Sequence, residues 1–241
     1  MKTKKLSFLG IFILLLGVFN SCILLGPSIK GNGDVVEKER NVGEFDEIKV
    51  TTGMNVWITQ GEETKVVVVA DENLHDAILT EVSGKTLKVY TESRIRWAKE
   101  KKVLITINNL EKTSLSAGSN VYSNGLLNFE NLDISTSSGS NANFEVNSKN
   151  LSVSSSSGSN AKIKGNAYKL VLDASSGANI KAVGLEASFC DAEASSGANV
   201  HIRVLKEINA RASSGGNVIY YGNPEKMDIN TSSGGNVTKK Q

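Results

Sequence analysis

The chain has 241 residues, with 27 basic against 25 acidic side chains, 6% aromatic residues and two cysteines. So even a balance gives no electrostatic support to nucleic-acid binding. Two cysteines cannot build the disulfide framework of a small secreted scaffold.

The first 21 residues read as an address. Lys2, Lys4 and Lys5 precede an uncharged apolar run, Leu6 to Phe19, that is too short for a comfortable transmembrane helix. The run ends at Phe19-Asn20-Ser21-Cys22, which resembles a bacterial lipoprotein signal cleaved before Cys22, with lipidation of its thiol. Phe19 and Asn20 depart from the usual Leu three before and Ala or Ser two before the Cys. The alternative is an ordinary signal peptide with an incidental Cys. The lipoprotein reading implies an envelope protein held on the outer membrane by its lipid. Cleavage would remove three Lys and no acid, so the mature chain is close to neutral. Residues 22–33 read as a tether, with Gly26-Pro27 and Gly31-Asn32-Gly33 as breakers. Residues 34–241 read as one domain, with regular repeats over 110–238.

Residues 34–110 are β-like but irregular. Phe45 to Val50, followed by Thr52-Gly53-Met54-Asn55-Val56-Trp57-Ile58, reads as one degenerate repeat. Short strands are expected at Val66–Val69, Leu87–Tyr90 and Val103–Ile107, and a single short helix at Glu72–Leu79. Arg94-Ile-Arg96-Trp97-Ala-Lys99-Glu-Lys101-Lys102 is the strongest basic cluster. It is a candidate surface for anionic lipid heads or glycan; the plainer expectation is an exposed loop with Trp97 tucked inward. The whole stretch can cap the start of the repeats.

From Ser116 onward a phrase returns seven times: Ser, small, Gly, small, Asn, apolar. Its glycines are Gly118, Gly139, Gly158, Gly177, Gly197, Gly215 and Gly234, and its asparagines Asn120, Asn141, Asn160, Asn179, Asn199, Asn217 and Asn236, at steps of 18 to 21 residues. Such a period marks a solenoid whose single coil cannot bury its own apolar face. Nine before the Asn stand Leu132, Leu151, Leu170, Cys190, Ile208 and Met227, and seven before it Ile134, Val153, Leu172, Ala192, Ala210 and Ile229. One after it stand Val121, Ala142, Ala161, Ile180, Val200, Val218 and Val237. Three after it stand Phe144, Ile163, Ala182, Ile202 and Tyr220, with Ser123 as an exception. Spacings of two describe strands, so each coil has one strand before the Gly-x-Asn turn and one after it. The expected fold is all-β, a single-domain, right-handed parallel β-helix or β-solenoid with coils of about 19 residues.

In the turn, Gly enters positive φ without penalty and Asn tolerates the left-handed region. Stacked Asn side chains can hydrogen-bond along the solenoid axis. These residues are read as structural turn residues before they are read as a polar array for glycan. Outward rows carry a basic stripe, Lys162, Lys164, Lys181, His201 and Arg203, and an acidic one, Asp133, Asp173, Asp191, Glu193 and Asp228. At the end of the repeats Ile219 and Tyr221 occupy rows that elsewhere hold Lys or Arg. With Tyr220 and Met227 they suggest weak self-association or partner binding through 217–238.

No catalytic, metal or cofactor site is expected. His75 and His201 lie in different regions without a second ligand at metal spacing, and the turns lack the Asp that calcium-binding repeats need. Cys190 sits in an apolar row and is expected to be an inert packed thiol.

The lipoprotein-like start, the Phe45-x-x-Ile-x-Val-x-x-Gly53-x-Asn55-Val-x-Ile-x-Gln60-Gly61 opening, the serial turns and the closing Tyr220-Tyr221-Gly222-Asn223-Pro224 together resemble the bacterial head GIN domain family, described as auto-transporter adhesins, over roughly residues 42–238. The resemblance implies a β-solenoid in the cell envelope and carries no catalytic residues over. The expectation is a non-enzymatic, lipid-anchored, adhesin-like binding protein, whose partners are a membrane, through the lipid, and a glycan or another envelope protein. Two alternatives remain: a polysaccharide-active enzyme, if the charged rows share a groove, and a structural or signalling component that docks another protein through an apolar patch.

Overall fold

Apolar residues at every second position on both sides of a repeated turn can be buried only by stacking one coil on the next. The computed structural model, which describes residues 28–241, shows this stack. In chain order its strands are β1 (Ser28–Lys30), β2 (Val35–Arg40), β3 (Glu47–Val50), β4 (Asn55–Gln60), β5 (Lys65–Asp71), β6 (Ile78–Ser83), β7 (Thr86–Thr91), β8 (Arg94–Trp97), β9 (Lys101–Ile107), β10 (Lys112–Leu115), β11 (Asn120–Thr136), β12 (Asn141–Ser155), β13 (Asn160–Ala174), β14 (Asn179–Ala194), β15 (Asn199–Ala212), β16 (Asn217–Tyr221), β17 (Lys226–Thr231) and β18 (Asn236–Lys240). The fold is a β-solenoid of about 7 turns with ~19-residue coils.

Strands β11 to β15 are long and bend in the middle, so each supplies most of a coil. They pair in parallel, and each repeat Asn stands opposite the next. The halves after and before the turn form two walls around one interior. Val121, Ala142, Ala161, Ile180, Val200 and Val218 face inward from the post-turn wall, and Ile134, Val153, Leu172, Ala192 and Ala210 from the pre-turn wall; all are buried. The long 21-residue first step is absorbed by a register shift between Tyr122 and Leu126, where Gly125 has φ 92°. That bulge explains why Ser123 breaks its apolar row. Its hydroxyl instead accepts a bond from the Glu145 N–H at 2.8 Å.

The turn itself is a pair of left-handed residues. Ser138 and Gly139 have φ 51° and 70°, and the Ser140 N–H closes on the Ser137 carbonyl at 3.1 Å. Two positive φ values make this a type I′ turn. The second left-handed residue is therefore the Ser or Ala before each Gly, not the Asn as the sequence suggested; the Asn opens the following strand. Stacking repays the strain. From Gly118 to Gly197 the turn Gly N–H donates to the carbonyl of the next coil's left-handed Ser, as from Gly139 to Ser157 at 3.2 Å and from Gly158 to Ser176 at 3.1 Å.

The degenerate repeat is a true coil: Thr52 and Gly53 are left-handed, and β4 pairs with β11 with Asn55 opposite Asn120. Beyond it the parallel pattern gives way. The post-turn wall runs on from β4 through β9, β5 and β2, the last two joining antiparallel. The pre-turn wall runs on through β10, β3, β7 and antiparallel β6. The expected helix at 72–79 is only a 3-10 turn at Glu72–Leu74, because Ile78 and Leu79 are claimed by β6. Part of the expected tether is also fixed: β1 pairs with β8, and the Gly31 and Gly33 N–H groups bond to the Trp97 carbonyl and the Asp71 carboxylate. At the other end Met227 and Ile229 continue the Ile208 and Ala210 ladders, yet are 51% and 42% exposed, with no described residue stacked beyond them.

Candidate binding surface

The post-turn wall carries two outward columns side by side. In the first, the side-chain amide of Asn120 donates to Asn55, Asn141 to Asn120, Asn160 to Asn141, Asn179 to Asn160, Asn199 to Asn179 and Asn217 to Asn199, at 2.8 to 3.3 Å. Asn236 leaves the ladder and donates to Thr238. An amide has two N–H donors and an oxygen with two lone pairs. Each inner rung spends one donor and one lone pair on its neighbours and keeps the others for a partner outside.

The second column follows from β-sheet register two residues on: Leu104, Trp57, Tyr122, Asn143, Lys162, Lys181, His201, Ile219 and Thr238. Trp57 and Tyr122 stack with ring centroids 4.9 Å apart and planes 26° from parallel, and the Lys102 ammonium lies 6.0 Å from the Trp57 ring. Where Asn143 follows Tyr122 the column drops to a short side chain. The result is a hollow of about 300 Å³ between Tyr122, the Asn ladder and Lys162 and Lys181. Neither lysine is ion-paired to a described residue, and the hollow's lining includes no carboxylate. Glu145 stands in the next column, opposite Lys164. His201, beside Lys181, has its pKa lowered by burial and by the charges of Lys181 and Lys240.

The acidic row of the sequence lies on the pre-turn wall. Asp173, Asp191 and Glu193 share a different hollow of about 280 Å³, whose one base is Arg211. A third hollow, on the bend, holds Tyr168 together with Lys149 and Glu130, and there the base and the acid are bonded to each other at 3.2 Å.

The basic cluster of the sequence is not a single loop: Arg94 to Trp97 form β8, and Lys101 and Lys102 begin β9. Arg94, Arg96 and Lys99 are exposed. Trp97, expected to be tucked inward, is 49% exposed, with the Lys30 ammonium 6.0 Å from its ring. Only Ile95 and Ala98 turn toward the core. Strand β8 is held by Asp71, a buried carboxylate that accepts bonds from the N–H groups of Gly33, Lys99 and Glu100 at 2.9 to 3.2 Å. Burial opposes its charge, but the backbone donors of Glu100, Gly33 and Lys99 and the Lys99 charge prevail and hold its pKa below the ordinary value. At the far end Ile219 and Tyr221 point outward in their rows but are half-buried beside β18; the exposed apolar residues there are Met227 and Ile229.

The remaining reactive groups are packed away. The Cys190 thiol is buried, and burial, then the Asp191 charge, pushes its pKa far up. His75 is buried against the Val36 carbonyl, and burial lowers its pKa. Among the described residues no group of His, Cys, Asp or Glu is placed to hold a metal ion, and no helix is long and apolar enough to cross a membrane. Cys22 lies outside the described residues.

Residues 44–224 match the family model described as "Putative auto-transporter adhesin, head GIN domain". No curated protein matches the chain. Among solved structures, the chain resembles a putative adhesin from Bacteroides fragilis NCTC 9343 with a TM-score of 0.81 at 22% identity, covering 88% of this chain and 100% of that one. A putative lipid binding protein from Parabacteroides distasonis ATCC 8503 gives 0.71 at 18% identity, covering 89% and 100%. A putative adhesin from Parabacteroides merdae ATCC 43184 gives 0.68 at 18%, also covering 89% and 100%. At these identities the likeness speaks for the fold.

Proposed function

We propose, from the premise that this chain belongs to the head GIN domain family, that it is a non-enzymatic binding protein of the cell envelope, lipid-anchored through Cys22 and adhesin-like in role. The observation that carries this reading is the post-turn wall: a continuous amide ladder beside an aromatic and basic column, both facing out. A regular, exposed, polar wall suits an extended ligand better than a small substrate. The enzyme alternative needs the acidic and basic rows in one groove; here the two rows occupy different walls, and the acidic hollow gains a single base, Arg211.

The anchor end supports the same arrangement. Cys22 is six residues before Ser28, the first residue of β1. Six residues reach at most about 20 Å. A lipid on Cys22 would therefore keep Lys30, Arg94, Arg96 and Trp97 within reach of the headgroups. Each Lys or Arg near an anionic surface contributes about 1 kcal/mol, and Trp suits the interface. The repeats then lead away from the bilayer.

The test is membrane fractionation with acyl labelling, together with attachment of whole cells to a mucin-coated surface. Cys22→Ala should lose the label, leave the membrane fraction and reduce attachment to that of cells lacking the protein. A Cys22→Ala protein that partitions like wild type would contradict the anchor. Attachment that is the same with and without the protein would contradict the adhesin role.

A further inference from the structure

The hollow beside Tyr122 combines three recognition elements. The first is an aromatic face. Trp57 is covered by Tyr122 on one side and approached by Lys102. Tyr122 borders the hollow where the column drops to Asn143. The second is the row of amides from Asn141, Asn160 and Asn179, whose ladder bonds fix their orientation and leave one N–H and one lone pair on each. The third is a pair of cations, Lys162 and Lys181, in adjacent coils and without described ion-pair partners.

These elements select a ligand by chemistry. The aromatic face favours a flat, weakly apolar surface, such as the C–H side of a pyranose ring. Oriented amides exchange hydrogen bonds with hydroxyl groups that both donate and accept. Two lysines held one strand spacing apart, about 4.8 Å, attract an anion strongly, because neighbouring like charges are relieved by a shared counter-charge. A bare anion would use the lysines and leave the ring unused. A neutral sugar would use the ring and leave the lysines unpaired. One class of ligand uses all three.

We propose that the hollow between Tyr122, the ladder amides of Asn141, Asn160 and Asn179, and the ammonium groups of Lys162 and Lys181 binds an acidic sugar, a pyranose ring bearing a carboxylate. The ring packs on Tyr122, its hydroxyls meet the amides, and its carboxylate lies between the two lysines. Neighbouring sugars of a chain continue along the amide ladder. The inference takes its biological setting from the adhesin reading, whereas its chemistry stands on the hollow alone.

The experiment is titration calorimetry of the full chain in mild detergent with three probes: an oligogalacturonate, its methyl ester and inorganic polyphosphate. The oligogalacturonate should bind, and the other two should bind at least tenfold more weakly. Lys162→Gln with Lys181→Gln should weaken oligogalacturonate binding at least tenfold, as should Tyr122→Ala, while Tyr122→Phe keeps it. The Lys162→Gln, Lys181→Gln protein should melt with wild type, since both side chains are exposed. The site is overturned if oligogalacturonate does not bind, if the methyl ester or polyphosphate binds equally well, or if the lysine variant binds unchanged. Cells whose attachment depends on the protein but survives the lysine variant would retain the adhesin role and remove this site.

Discussion

Residues 28–110 and the repeats after them close over one apolar interior by different means. In the repeats each strand pairs with near-copies of itself, so the same contact recurs: Asn on Asn, turn on turn, Ile180 on Ala161. In the first part only β3 and β4, around Thr52-Gly53, copy the repeat. The strands there pair partly antiparallel, and single side chains do what repetition does elsewhere. Asp71 alone gathers three backbone donors from two segments, and Arg40 donates to the His75 carbonyl to fix β2 beside the 3-10 turn. Stability is spread over rungs in the one region and concentrated at a few residues in the other. The same contrast separates the proposed tasks: a unique end is suited to fix position at a membrane, and a repeated wall to meet a repeating ligand.

The largest expected effect is in the repeat core. Phe144, 1% exposed, fills the row that Ser123 leaves short. Phe144→Ala should destabilise by about 3–5 kcal/mol, read from chemical unfolding; a change below about 1 kcal/mol would mean the coils repack freely. Next comes the turn. Gly177 has φ 71° and nothing within 4 Å of an added Cβ, so Gly177→Val tests backbone strain alone, about 1–3 kcal/mol. Gly165 has φ 110° and its added Cβ would meet the Val146 carbonyl, so Gly165→Val should lower the melting temperature further. Equal loss at both sites would show that φ, and not space, limits the bend.

A smaller effect is expected on the ladder. Asn160→Ala removes bonds to Asn141 and from Asn179, about 1–2 kcal/mol at roughly 1 per net bond. In hydrogen exchange the loss of protection should centre on β12 to β14 and leave β5 and β9 unchanged, as expected of a nearest-neighbour stack. The most local effect belongs to the first region. The Asp71 pKa is lowered on folding, so its contribution is full above the unfolded carboxylate value, about 3.9, and is lost as pH falls through the lower folded value. Acid should therefore free β1 and β8 in hydrogen exchange before the repeats open. Simultaneous opening would erase the distinction between the regions.

Much of the repeat region was legible because it is written several times. The inward rows, the positive φ of Gly139 and its equivalents, and the buried Cys190 follow from spacing. So does the coil at Thr52-Gly53, since Asn55 falls where a ladder Asn is needed. The second left-handed residue was also signalled, by the invariably small Ala117, Ser138 or Ser157, but Asn's tolerance of that conformation drew the assignment away. The first region was less legible because antiparallel pairing between unlike strands leaves no recurrence, and Glu72–Leu79 has a helical spacing that β6 overrides. Trp97 was expected inward, and strand alternation would set it on the face of Ile95, but a register shift between Ile95 and Trp97, opposite Ile29 and Lys30, breaks the alternation and leaves Ile95 and Ala98 packed on the core instead. The stack of Trp57 on Tyr122 had a readable cue: each stands two residues after a ladder Asn, and alignment of Asn55 with Asn120 brings them together.

The division of labour between the two regions is tested most directly by one paired comparison that scores membrane contact and ligand attachment together. Two altered proteins are needed: Arg94→Ser, Arg96→Ser, Trp97→Ser at the anchor end, and Lys162→Gln, Lys181→Gln on the repeat wall. On a Cys22→Ala background, the first should further reduce residual binding to anionic vesicles without changing glycan binding. With Cys22 intact, the second should remain in the membrane fraction and lose attachment. Loss of membrane contact from the wall variant, or undiminished attachment by it, would contradict the assignment of anchoring to the first region and binding to the repeats.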